Sequence, residues 1–206
     1  MRSSDEMNKY EKVFKIFKRY YTFVPLEIFG SDPYKTLIST LMSARTKDDT
    51  TLLAAKRLFE KAPNIEALDR LDESEIRNLI YPVGFYRTKA KHIKSLSKTI
   101  LEKFAGQVPS AQKELTTLPG VGIKTANLVL NRAFNISAIA VDTHVHRISN
   151  LLGWVHTKTP EQTERELVKI LPKRYWPDTN RLFVSIGRQF TSKKKLIEFL
   201  KEEELI

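Results

Sequence analysis

The chain has 206 residues, 41% of them hydrophobic, and 35 Lys and Arg against 24 Asp and Glu give it a formal net charge of +11 at pH 7. No apolar run approaches the roughly 18 residues of a membrane-crossing helix, and Met1-Arg-Ser-Ser-Asp-Glu lacks the apolar core of a secretory signal. An intracellular protein with no membrane partner is therefore expected, cytoplasmic and nucleoid-associated if the cell is prokaryotic. Cysteine is absent, which excludes disulfides, thiolate catalysis, zinc held by sulfur and any cysteine-ligated iron–sulfur cluster.

Helical periodicity dominates from the first third onward. Leu37, Ile38, Leu41 and Met42 make one apolar stripe, and Leu52, Leu53, Leu58 and Phe59 are compatible with a second. Ala90, Ile93, Leu96, Ile100, Leu101 and Phe104 form a longer one. Between Gly84 and Lys103 six basic residues (Arg87, Lys89, Lys91, Lys94, Lys98 and Lys103) stand against Glu102 alone. A basic chain without a membrane segment usually meets a polyanion, and such clustering favours a binding face; the alternative is a chain that is merely rich in lysine. A further helix is predicted from Lys124 to about Ala133. Ile136 to Val145 is rich in β-branched residues, but one strand would have no partner here. It reads as an extended connection ending where Asp142 or Thr143 caps the next helix. Thr159-Pro160-Glu161-Gln162 is a strong helix start, and Leu196 to Glu204 predicts a short terminal helix. Breakers fall at Gly30–Pro33, Pro63-Asn64, Pro82–Gly84, Gly106–Ser110, Pro119–Gly122 and Pro172. The fold class expected is all-α, with two helical lobes sharing a cleft.

The most informative stretch is Leu118-Pro119-Gly120-Val121-Gly122-Ile123-Lys124-Thr125-Ala126, with Asp142 following in Ala140-Val141-Asp142-Thr143-His144. Gly120 and Gly122 can both adopt positive φ, and Pro119 fixes the approach to the turn. The turn feeds a helix whose free N–H groups and positive dipole end make an anion site that reads phosphate and ignores base sequence. Lys124 stands two residues past Gly122, on an otherwise apolar helix. An amine attacks only when neutral, and a helix start in a desolvated cleft favours that form. Lys124 therefore suits a Schiff-base nucleophile, against the alternative of a solvated surface lysine. Asp142 reads both as a helix cap and as a carboxylate able to stabilise an oxocarbenium ion or to activate the amine.

With their context, these residues resemble the helix–hairpin–helix DNA glycosylase superfamily, and most closely its endonuclease III branch. Leu41-Met42-Ser43-Ala44-Arg45-Thr46-Lys47-Asp48 is similar to the family's early helix and the loop after it. Val83-Gly84-Phe85-Tyr86-Arg87-Thr88-Lys89-Ala90 looks like its wedge segment, and Val141-Asp142-Thr143-His144-Val145-His146-Arg147 like its catalytic-aspartate region. The resemblance implies a helical barrel over residues 26–136, containing the hairpin, and a second lobe from residues 1–25 plus 137–206. It implies a monomer acting on double-stranded DNA that carries a damaged base or an abasic site. The reaction implied is removal of oxidised pyrimidines such as thymine glycol. Lys124 and Asp142 would be catalytic. Gly120, Val121, Gly122, Ser43, Arg45, Phe85, Lys89 and His144 would bind DNA, with Phe85 as the wedge and Arg45 in the gap left by a flipped base. The family also suggests a monovalent cation at the carbonyls of Leu118 and Val121.

Two departures stand out. Many endonuclease III relatives carry an iron–sulfur cluster on four cysteines; here the corresponding stretch after Gly187 reads Arg188-Gln-Phe-Thr-Ser-Lys193-Lys194-Lys195, so no cluster and no other cofactor is expected. The lysine run there is either a substitute DNA contact or a solvated face. Arg45 and Phe85 occupy positions where the common pattern has glutamine and leucine. A glycosylase for mismatched thymine or uracil, one for oxidised purines, and a non-catalytic DNA-binding module remain the alternatives.

Overall fold

The computed structural model describes residues 4–206, with side chains from residue 9 onward. Within that span the secondary structure is helical, with no strand. In chain order the helices are α1 (Ser4–Arg19), α2 (Pro33–Ser43), α3 (Asp48–Lys61), α4 (Ile65–Arg70), α5 (Glu73–Ile80) and α6 (Tyr86–Phe104). They continue as α7 (Gln112–Leu115), α8 (Ile123–Phe134), α9 (Thr143–Leu151), α10 (Pro160–Ile170), α11 (Trp176–Gln189) and α12 (Lys193–Glu202). The β-branched stretch before α9 is extended connection, and Asp142 is the residue that caps the helix after it. The chain divides into two compact units, one of Pro25–Ile136 and one of Met1–Val24 with Ser137–Ile206.

The Pro25–Ile136 unit holds α2 to α8. Helix α2 starts where the Asp32 carboxylate accepts the Lys35 N–H at 3.0 Å and Pro33 occupies the first turn. Its face of Leu37, Ile38, Leu41 and Met42 is buried, together with Ile76 and Ile80 of α5, Ile93, Leu96 and Ile100 of α6 and Val129 of α8. Burial of each such side chain contributes roughly 1.5–3 kcal/mol. Helix α3 departs from the expected stripe. Its buried face is Thr51, Ala54, Ala55, Leu58 and Phe59, while Leu53 is 61% exposed. The small alanines let neighbouring backbones approach, so the helix turns that face inward and leaves Leu53 outside.

In the other unit α1 contributes Val13, Phe14 and Phe17 to a core shared with Trp154, Phe183, Leu196 and Phe199. Phe17 meets Phe183 edge-on at 5.1 Å between ring centres, and Phe190 stacks on Phe199 at 4.3 Å. Helix α12 begins earlier than its apolar pattern suggests, because the Ser192 hydroxyl caps the Lys195 N–H at 3.2 Å and draws the three lysines into the first turn. Arg19 pairs with Glu203, and the Lys12 ammonium donates to the Glu204 carbonyl at 2.8 Å. These contacts tie α1 to the end of the chain.

Candidate functional site

The hairpin lies between α7 and α8. The Val121 N–H donates to the Leu118 carbonyl at 3.1 Å, closing a turn around Pro119 and Gly120. Gly120 sits at φ +78, and a Cβ there would lie 2.7 Å from Nδ1 of His92. Glycine is thus required twice over, by backbone conformation and by the imidazole packed against it. Gly122 differs from expectation. Its φ is −92, open to any residue, and a Cβ would meet nothing within 4 Å. Positive φ is confined to Gly120, and the free space is at Gly122, where the backbone is bare toward solvent. Gly122 is also the N-cap of α8, and no side chain caps that helix. Its first N–H groups therefore face outward without a side-chain acceptor, the arrangement that binds an anion.

Lys124 occupies the first turn of α8, half-buried, on a helix whose Ala126, Leu128, Val129 and Leu130 are buried. Its ammonium makes no hydrogen bond or ion pair with the described residues. A lysine held in place by its helix and left without a carboxylate partner is available to a ligand. For the suggested cation, the Leu118 carbonyl keeps one lone pair beyond its bond to Val121. The described residues contain no cluster of three or more His, Asp or Glu able to hold a metal.

A second group forms where the end of α2 meets the start of α6. Arg45 and Phe85 both adopt left-handed conformations, at φ 53 and φ 57, and the Arg45 guanidinium lies 5.4 Å from the centre of the Phe85 ring. Phe85 is 61% exposed. Ser43 donates its hydroxyl back to the Thr40 carbonyl at 2.8 Å and is half-buried. Lys89 does not lie where the sequence reading put it. Expected at DNA, it is 7% exposed, and its ammonium points inward, donating to the carbonyls of Met42 at 2.7 Å and Ala44 at 2.5 Å and to Oγ1 of Thr46 at 3.3 Å. Three donors on three protein oxygens leave none for a phosphate. Burial pushes this ammonium down to about 8 from the usual lysine value.

The remaining predicted residues belong to the unit built from both termini. One carboxylate oxygen of Asp142, Oδ1, accepts the N–H groups of His144 and Val145, each at 2.9 Å. Its other oxygen accepts no hydrogen bond among the described residues. The cap thus fixes the carboxylate while leaving an oxygen open. His144 packs its ring on Gly187 so closely that a Cβ at Gly187 would come within 2.2 Å of Nδ1. Thr46, His92 and Gly187 are the site residues that motif reading missed. A glycine lying under a ring is the signal for the last two, visible only once the helices are packed.

An exposed helix start after a glycine turn, followed by an unpaired lysine, defines a helix–hairpin–helix protein of the kind that grips a polyanion backbone. The model of the HhH-GPD superfamily base excision DNA repair protein matches residues 38–173, and the chain belongs to that family. It is 48% identical to endonuclease III of Thermotoga maritima over 159 residues, which is 77% of this chain and 75% of that protein. Vertebrate endonuclease III-like proteins are longer, and the matches span 52–61% of their length. Among solved structures, a non-covalent endonuclease III–DNA complex superposes with a TM-score of 0.81 at 34% identity, covering 94% of this chain and 90% of that one. A trapped endonuclease III–DNA covalent intermediate superposes with a TM-score of 0.79 at 32% identity and the same coverage. An iron–sulfur cluster on thiolates does not fit the residues present. The chain has no cysteine, and the segment after Gly187 is folded into Phe190–Phe199 stacking and the Ser192 cap.

Proposed function

We propose that the chain is a bifunctional DNA glycosylase and abasic-site lyase of base excision repair, acting on oxidised pyrimidines in duplex DNA without a cofactor. The observation that carries this reading is Lys124: an unpaired amine in the first turn of a helix whose bare N-terminus can bind a backbone phosphate. Its support is the similarity to endonuclease III, including a protein captured as a covalent DNA intermediate.

The amides after Gly120 anchor a phosphate of the damaged strand. The neutral Lys124 Nζ attacks C1′ of the flipped nucleoside, and the bond to the damaged base breaks with its electron pair going to the base, which leaves protonated. Asp142, with one oxygen held by its capping bonds, offers the other to the positive charge that develops on the sugar and serves the reaction as a general base. Opening of the sugar ring gives a Schiff base. Removal of a C2′ proton then expels the 3′ phosphate by β-elimination. Arg45 and Phe85 fill the space that the flipped nucleotide leaves.

A duplex carrying one thymine glycol tests the proposal. Release of the base with a strand break ending in a 3′ unsaturated aldehyde is the expected product. Base release with an intact strand would indicate a water-using glycosylase instead. Tight binding with neither event would indicate a binding module.

A further inference from the structure

We propose that Lys89 is a positioning residue that sets the Arg45–Phe85 pair for insertion into the duplex, a role that rests on the glycosylase reading above. Three observations converge on it. The last carbonyls of a helix have no partner within the helix and are commonly closed by a glycine in the left-handed conformation. Helix α2 has no glycine there: Ala44 is the C-cap at φ −55, ψ 121, Arg45 takes the left-handed position after it, and the Thr46 N–H closes the Ser43 carbonyl at 3.0 Å. The Lys89 ammonium, reaching across from α6, adds to that closure by donating to the Met42 and Ala44 carbonyls. A positive charge at a helix C-terminus is favourable, which offsets part of the cost of burying it.

The segment so held contains Arg45 in a left-handed conformation, which is strained for a residue with a Cβ. Lys89 stands one helical turn beyond Phe85, itself left-handed at the N-cap of α6. Thr46 closes the circuit, for its Oγ1 receives both the Lys89 ammonium at 3.3 Å and the Gly84 N–H at 3.0 Å. Gly84 lies so close that a Cβ would come within 2.5 Å of the Arg45 carbonyl. One buried ammonium therefore braces two strained backbone positions, each carrying a side chain that faces solvent. It touches no DNA and acts through Arg45 and Phe85.

Lys89→Met keeps the apolar stem and removes the donors. In the folded variant, excision of thymine glycol from duplex DNA is expected to fall about 100-fold, the scale of a misplaced positioning group. Borohydride trapping on an abasic site in single-stranded DNA, which needs no insertion into a duplex, should be little changed. A 2-aminopurine opposite the lesion should brighten on binding wild-type protein and stay dark with the variant. Lys89→Arg should recover part of the duplex activity. Thr46→Val, which leaves Lys89 in place, should move the same readouts in the same direction and carries the test if Lys89→Met does not fold. Duplex excision at the wild-type rate, or equal losses on duplex and single strand, would overturn the assignment. Wild-type protein inactive on both substrates would instead overturn the glycosylase reading beneath it.

Discussion

Asp142 caps α9 and is proposed to act in catalysis, and the two roles separate by substitution. Its Oδ1 accepts two N–H groups, each at 2.9 Å. Asn offers an oxygen of the same geometry and caps about as well as Asp, so Asp142→Asn should lose only the charge at the helix start, about 0.3–1 kcal/mol. Asp142→Ala loses the cap as well, typically about 1 kcal/mol. For a chain of this size that is a fall in Tm of about 2–4 °C. Neither change empties the folded state, because a protein stable by roughly 5–15 kcal/mol stays folded after losing one. Loss of a positioned acid–base group costs about 100- to 10,000-fold in rate. Asp142→Asn should therefore melt within a few degrees of wild type in a calorimetric scan while its single-turnover excision of thymine glycol falls by at least the lower of those factors. An Asn variant as fast as wild type would show that the carboxylate is only a cap.

The two hairpin glycines should respond oppositely. Gly120→Ala, at φ +78 against His92, should lower the urea midpoint by the equivalent of about 1–2 kcal/mol or more. Gly122→Ala should leave the midpoint unchanged yet weaken binding to an abasic-site analogue in an anisotropy titration; equal behaviour of the two variants would contradict the open face at Gly122. Because binding rests on phosphate contacts, its logarithm should fall linearly with the logarithm of salt between about 50 and 200 mM, and a flat response would remove the electrostatic account. Lys89 has a folded-state value near 8, below its unfolded value. The unfolded chain then binds more protons in that window, so stability should rise with pH from about 8 to 10.5 relative to Lys89→Met. Parallel stability curves for the two proteins would refute the lowered Lys89 value.

The hairpin, the Asp142 cap and the helix start at Thr159-Pro160 were legible because each is local chemistry: a turn needing glycine, a carboxylate before a helix, a capping residue before proline. The Asp142 cap competed with a strand reading of Ile136 to Val145, and the lack of any partner strand decided it. Two glycines in one motif looked alike, and only packing separates the one under His92 from the one in open space. Lys89 lies inside a basic run, yet the opposing signal is present in its spacing. It falls in register with Ile93, Leu96 and Ile100, which makes the buried face of α6, so helical spacing pointed it inward while composition pointed it out. What it bonds to, the end of a helix 47 positions away, has no trace in local sequence. Leu53 fails for a related reason, since small residues on the opposite face of α3 pack better than its own.

In the proposed reaction the Lys124 amine becomes covalently joined to the sugar. Borohydride reduction of the protein with a thymine glycol duplex, followed by peptide mass analysis, measures this directly. A stable DNA adduct is expected on the peptide containing Lys124, and none with Lys124→Ala. An adduct on another amine, or one that survives Lys124→Ala undiminished, would contradict it.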